Sequence, residues 1–265
     1  MMEKMIIGRY VPGDSVLHRM DPRSKILFIF GFICIVFLAN NALTYGILGI
    51  FTLGALLLSK LPIRFILGGL KPILWIILFT FLLHIFFTKE GDVLVDLKWF
   101  AIYEEGLRQG IFISLRFFYL ILITSLLTLT TSPITITDGL ETLLNPLRKI
   151  KFPVHELALM MSISLRFIPT LMEETDKIMK AQIARGAEFT SGPIKDRLQA
   201  IVPLLIPLFV SAFKRAEDLA TAMEARGYQG GEGRTKYRLL SWKGRDTMVI
   251  IVLLVLTGLL IVFRG

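Results

Sequence analysis

Apolar residues gather in five runs that read as membrane helices: residues 26–39, 42–59, 73–87, 106–131 and 248–263. A span usually needs ~20 apolar residues, so the short first run must place its polar flanks at the membrane interface. Asn40-Asn41 is all that separates the first two runs and reads as a tight hairpin on the outer face. Lys60, Arg64 and Lys71 bring the chain back inside, and Pro72 opens the third run. Before the first run, Asp21 is placed to cap the helix, with Pro22 at its first position. Residues 89–105 mix polar and aromatic positions and are expected along the outer surface, with Trp99 and Tyr103 as interfacial anchors. Their pattern does not set a secondary structure.

Thr131-Ser132-Pro133 ends the fourth run, and the character of the chain then changes. Between Glu141 and Arg245 there are 17 Lys/Arg against 11 Asp/Glu, more than half of the basic residues in the chain. Basic loops face the cytoplasm. Arg9, Arg19, Arg23 and Lys25 precede the first run, so the N-terminus is expected there too. Residues 132–245 still carry apolar pieces too short to span, notably 201–213, which Pro203 and Pro207 are expected to break. Such surface must be buried against the bundle or against another protein. The resulting topology has five spans, with residues 1–131 as an N-terminal transmembrane bundle, 132–245 cytoplasmic, and 246–265 a C-terminal transmembrane helix ending outside at Gly265. A sixth span at 201–213 is the alternative.

Two long helical stretches inside this region end in the same tripeptide, Ala184-Arg185-Gly186 and Ala225-Arg226-Gly227, 41 residues apart. At that offset Ala181 falls on Ala222 and Asp176 on Glu217, which is the mark of a degenerate internal repeat. Pro169 and Pro207 are expected to interrupt the two helices about five turns before their ends. Each glycine stands where a helix takes a left-handed residue and stops. Each arginine then sits at a helix C-terminus, where the dipole favours a cation and the long side chain reaches past the end. Ala181 and Ala222, one turn back, keep the tips slender enough to enter a groove. Met160, Met161, Met172, Met179 and Met223 also fall on these arms, as core filling or as an adaptable surface.

Composition agrees with a membrane protein: 54% of residues are hydrophobic, 20 are phenylalanine, and the mean hydropathy is +0.66. A net charge of +9 in such a chain collects on the cytoplasmic side and does not signal nucleic-acid binding. The single cysteine, Cys34, lies in an apolar run, which leaves neither a disulfide framework nor a cysteine metal site. The first 20 residues hold no continuous apolar core of a cleavable signal peptide. Two residues within the apolar runs are candidates for chemistry. His84 reads as an interfacial histidine ahead of a proton-relay group, and Arg116 as a structural cation paired with a carboxylate in the bundle.

The paired Ala-Arg-Gly tips, the stretch from Tyr10 to Lys25, Leu165-Arg166-Phe167-Ile168-Pro169, and Met223 to Tyr228 resemble the transmembrane T component (EcfT) of energy-coupling factor transporters, over nearly the whole chain. The resemblance implies an all-α, polytopic membrane helical bundle with two long cytoplasmic coupling helices, in the cell membrane of a prokaryote. It implies that Ala184, Arg185, Gly186, Ala225, Arg226 and Gly227 dock on two ABC-type ATPase subunits, which bind the ATP. It also implies that the coupling helices carry a substrate-binding S component for a vitamin or another micronutrient, which suits a methionine-bearing face. Pro169 and Pro207 would then act as hinges.

The missing motifs point the same way. There is no G-x-x-x-x-G-K-[ST] phosphate loop, no H-E-x-x-H or paired-histidine metal site, and no G-x-S-x-G nucleophile elbow. The expected chain is therefore a non-catalytic subunit without cofactor or metal, needing an external motor. A T component dedicated to cobalt or nickel stays open; Tyr10 to Lys25 is closer to T components that share one module. An intramembrane enzyme would use His84, Arg116 or His155, and no nucleophile and base pair is recognisable. A stand-alone secondary transporter would want intramembrane carboxylates, of which the apolar runs contain almost none.

Overall fold

The computed structural model describes residues 10–96, 101–187, 193–230 and 239–264. The protein is all-α apart from one small hairpin, and its described residues fall into two compact units. One comprises residues 8–143 and 240–265, and the other residues 144–239.

The first unit contains α1 (Pro22–Val36), α2 (Ala42–Ser59), α3 (Ile63–Phe87), α4 (Glu104–Thr130), α5 (Pro133–Leu144) and α8 (Gly244–Val262). The strands β1 (Val93–Asp96) and β2 (Ala101–Tyr103) pair antiparallel where the sequence pattern set no structure. Trp99 lies outside the described residues. Helix α4 is central, packing on α1, α2 and α3, while α1 also packs on α8. Phe32, Val36, Leu48 and Leu260 are fully buried among these helices. Their outer faces are apolar and open, as at Phe30, Leu57, Trp75 and Val262, which suits a surface solvated by lipid chains. Helix α3 meets α4 closely because Gly106 has no side chain. A Cβ there would sit 3.0 Å from the Thr88 carbonyl oxygen and 3.1 Å from that of His84.

Among the described residues, four helices are long and apolar enough to cross a membrane: α2, α4, α8, and Val154–Ala184 of the second unit. Residues 73–87 form a shorter apolar stretch. Pro72 does not open that stretch, because α3 begins at Ile63 and runs through the proline. Nor does Arg116 meet a carboxylate among the described residues. One of its Nη atoms donates to the Ala39 carbonyl (3.2 Å), and the guanidinium stacks over Phe37, 5.1 Å from the ring centre. The end of α1 explains this choice. Its 15 residues end at Val36, and the Ala39 carbonyl, past its last turn, needs a donor from elsewhere. Arg116 supplies one. Asn41 caps α2 in a capping box with Thr44 and donates its amide to the Phe263 carbonyl (2.7 Å), tying the turn between α1 and α2 to the end of α8.

The N-terminal ends of α1 and α8 are joined by a buried polar knot. Asp21 caps α1 by accepting from the Arg23 backbone amide (2.9 Å), with Pro22 in the first turn. Burial opposes the charge on Asp21, yet hydrogen bonds from the Arg23 side chain and backbone outweigh it and hold the carboxyl below the usual carboxylate range. Asp246, 1% exposed, accepts from the Asp21 amide, the Ser24 hydroxyl and the Lys243 amide, each at 2.8 Å. Residues 10–20 fold against α4, with the Val11 amide on the Leu129 carbonyl and the His18 imidazole on the Val11 carbonyl (both 2.9 Å).

Asp246→Ala would strand two buried donors and a third that is part-buried. We expect it to cost about 3–5 kcal/mol, read as a large fall in the unfolding temperature of the detergent-solubilised chain. Asp246→Asn, which keeps one acceptor oxygen, should fall in between. An unchanged transition in the alanine variant would show that the knot does not hold α8 to α1.

Candidate functional site

The second unit is built on two long helices, α6 (Val154–Ala184) and α7 (Ile194–Ala225), with a short 3-10 helix at Asn145–Ile150 ahead of them. Both helices run unbroken through their prolines, Pro169 in α6 and Pro203 and Pro207 in α7. This corrects the expectation of broken arms at Pro169 and Pro207 and of a separate apolar piece at 201–213. A proline removes one ladder hydrogen bond and crowds the preceding turn. The intact turns on either side, more than ten residues each way at Pro169 and Pro207, keep the helix continuous.

Both helices end in the same local geometry. Gly186 and Gly227 take left-handed backbone angles, with φ of +89° and +72°. In the first arm the Ala187 amide reaches back to the Gln182 carbonyl and the Gly186 amide to that of Ile183, both at 3.0 Å. In the second, Tyr228 reaches Met223 (3.0 Å) and Gly227 reaches Glu224 (2.8 Å). These are two Schellman motifs, which satisfy the orphan carbonyls of each final turn. A Cβ on either glycine would meet nothing within 4 Å. Glycine is therefore required there by its backbone angle and not by space.

Ala184, Arg185 and Gly186 are exposed, as are Ala225, Arg226 and Gly227. Neither Arg185 nor Arg226 has an ion-pair partner among the described residues. Ala181 and Ala222 are likewise open, so each tip is a slim helix end topped by a free guanidinium. An exposed guanidinium is able to form a bidentate pair with a carboxylate.

A cluster of side-chain hydrogen bonds pins the arms together. Glu174 of α6 accepts from the Ser211 hydroxyl (2.6 Å) and from the Arg215 guanidinium (3.0 Å), while the Arg215 Nε also donates to Ser211 Oγ (3.4 Å). Glu174 and Arg215 are themselves 41 residues apart, the offset that relates the two tips. They are equivalent positions of the repeat carrying opposite charges. Each lies 11 residues before its own tip arginine, about 16 Å along the helix at 1.5 Å per residue. Beside the pin, a cavity of about 450 Å³ is walled by residues 163–171 of α6 and 212–223 of α7.

The five methionines do not share one environment. Met160 and Met161 are exposed, Met172 and Met179 are half-buried, and Met223 lines the cavity between the arms. Met161, Met172 and Met179 recur at intervals of 11 and 7 residues, which returns them to one stripe of α6. His84, Arg116 and His155 stand on three different helices, α3, α4 and α6. No group of three His, Cys, Asp or Glu residues among the described ones has the arrangement of a metal site. Sequence reasoning found the tips but not the pin. The signal was present, since the 41-residue offset that aligns the tips also places an acid on a base.

Comparison with known proteins covers the whole chain. Residues 13–237 match the family described as cobalt transport protein (CbiQ), a span that includes both arms. The chain is 70% identical over 265 residues, all of both proteins, to the energy-coupling factor transporter transmembrane protein EcfT of Bacillus subtilis (strain 168). It is 62% identical over 261 residues to the EcfT of Exiguobacterium sibiricum, covering 98% of this chain and 99% of that one. With the EcfT of Lactococcus lactis subsp. cremoris (strain MG1363) it shares 50% over 262 residues, 99% and 98% of the two chains. The chain belongs to the EcfT family, and is a multi-pass bacterial membrane protein serving as the transmembrane component of an energy-coupling factor transporter.

Proposed function

We propose that this chain is the non-catalytic coupling scaffold of its transporter, joining two cytoplasmic ABC-type ATPase subunits to a substrate-binding S component for a vitamin or another micronutrient. The observation that carries the reading is the pair of matching, exposed Ala-Arg-Gly tips, each the same distance from the Glu174–Arg215 pin. Two equivalent tips suit two equivalent grooves, one on each ATPase. Arg185 and Arg226 each pair there with a carboxylate.

When the ATPases close on ATP and reopen after hydrolysis, the tips move relative to one another. The long helices pass that motion past Pro169 and Pro207, where a missing hydrogen bond makes bending easiest. The S component is reoriented in the bilayer as a result, and Met161, Met172 and Met179 offer it an adaptable apolar stripe on α6. The chain itself needs no nucleotide, metal or cofactor, and it binds no nucleic acid. The family description, which names cobalt, favours a second reading in which the module serves cobalt uptake alone.

Affinity isolation of the chain from its own membranes in mild detergent tests the scaffold reading. Two ATPase chains and one or more S components should co-purify, and the S components identified by mass spectrometry name the substrate class. A chain isolated alone that transports solute in liposomes without ATP would be a secondary carrier, and the proposal would fall.

A further inference from the structure

The first unit contains a groove that the coupling reading leaves unused. It opens where α1 and α8 begin and α2 and α4 end, and it encloses about 440 Å³. Its walls are almost wholly apolar, formed by side chains such as Phe28, Phe51, Leu58, Leu127, Met248 and Val252. Lys25 and Arg245 are the two cations on its lining. A volume of this size matches a small-molecule pocket, and walls of this kind exclude water.

The polar end of the groove carries excess positive charge. Lys25 and Arg245 line it, and the carboxylates that act on Lys25 are Asp21 and Asp246. Both acids are already engaged, Asp21 by Arg23 and Asp246 by its three donors. Lys25 is buried and gives two of its three N–H groups to the Thr130 carbonyl (3.2 Å) and the Thr131 hydroxyl (2.8 Å). Arg245 is exposed at the rim. Basic residues gather at this end of the bundle, which marks the cytoplasmic leaflet, where anionic lipid headgroups attract nearby cations.

We propose that the groove is a binding site for one anionic phospholipid, with an acyl chain between α1, α2, α4 and α8 and the headgroup phosphate on Arg245. The ligand chemistry follows from the join of a slender dry channel to a cationic rim. A bound lipid here fills the space between α8 and its neighbours. Gly54 lines the same groove, and a Cβ on it would meet nothing within 4 Å, so a larger side chain there plugs the channel without touching the rim.

Native mass spectrometry of the delipidated full-length chain, titrated with phosphatidylglycerol or with phosphatidylcholine of the same acyl chains, tests the site. The wild type should retain a single phosphatidylglycerol, tenfold or more in preference to phosphatidylcholine. Arg245→Gln, at an exposed position, should weaken phosphatidylglycerol about fivefold and leave phosphatidylcholine unchanged. Gly54→Leu should lose the retained lipid of either kind, with its lipid-free unfolding temperature unchanged. Equal retention of the two headgroups by the wild type would overturn the proposal, as would an Arg245→Gln chain that keeps the preference. So would a wild-type chain retaining neither lipid, the result expected if the groove receives an apolar helix of another protein.

Discussion

Replacing both tip arginines, Arg185→Glu with Arg226→Glu, is expected to abolish ATP-driven uptake and to release the ATPases from the complex. Each tip is a helix end closed by its own Schellman bonds, with the arginine exposed, so substitution leaves the fold of the arm untouched. The loss is then confined to what the guanidinium touches in the assembled transporter. An arginine paired in water contributes only ~0–1 kcal/mol, whereas breaking a desolvated pair costs ~3–5 kcal/mol, or two to four decades in affinity. Alanine removes the pair and strands the partner carboxylate; glutamate adds repulsion and should be worse at each tip. A single variant still has one intact tip, so it should lose transport before it loses assembly. The tips need not be equal, since Ala187 follows the first and the larger Tyr228 the second. Purified complexes of each variant, assayed for ATPase content and for uptake in proteoliposomes, give the answer. Normal uptake by the double variant would end the coupling proposal.

The features that could be read from the sequence depend on short-range chemistry. Asp21-Pro22 starts α1, Asn40-Asn41 turns between α1 and α2, and Gly186 and Gly227 stop α6 and α7, because a cap, a turn or a positive φ is specified by one or two residues. The prolines misled because their local cost is real but small beside a long ladder. Pro72, Pro169 and Pro207 all sit inside continuous helices. The hairpin of β1 and β2 was illegible, having only four and three residues to carry a pattern. What Arg116 and Asp246 touch was also hidden. Their partners lie 77 residues away at Ala39 and more than 220 residues away at Asp21 and Ser24, and no local pattern encodes such a pairing. The candidate site was legible to the extent that it repeats, and the same repeat carries the pin as a charge relation between its two copies.

That relation gives the second large effect. Glu174→Arg should lower ATP-driven uptake about tenfold with the ATPases still bound, and so should Arg215→Glu. The side chains are 24% and 39% exposed, so the pair contributes roughly 1 kcal/mol to stability after solvent screening. Neither variant should unfold the chain. Its leverage is geometric, since each tip lies about 16 Å beyond the pin and a 10° slip in the crossing carries a tip about 3 Å. A bidentate arginine–carboxylate pair, with bonds of ~2.7–2.9 Å, does not survive such a displacement. The wrong charge at either position puts like charges face to face at the crossing and forces the arms apart. The double variant, Glu174→Arg with Arg215→Glu, restores the opposite pair in reversed order and should recover most of the uptake. A helix-packing defect without a charge component would not be rescued by that exchange. Spin labels placed near Arg185 and Arg226 report the same event as a distance: broadened in each single variant, narrow again in the double. Uptake in the double variant no better than in the singles would show that the pin does not set the spacing of the tips.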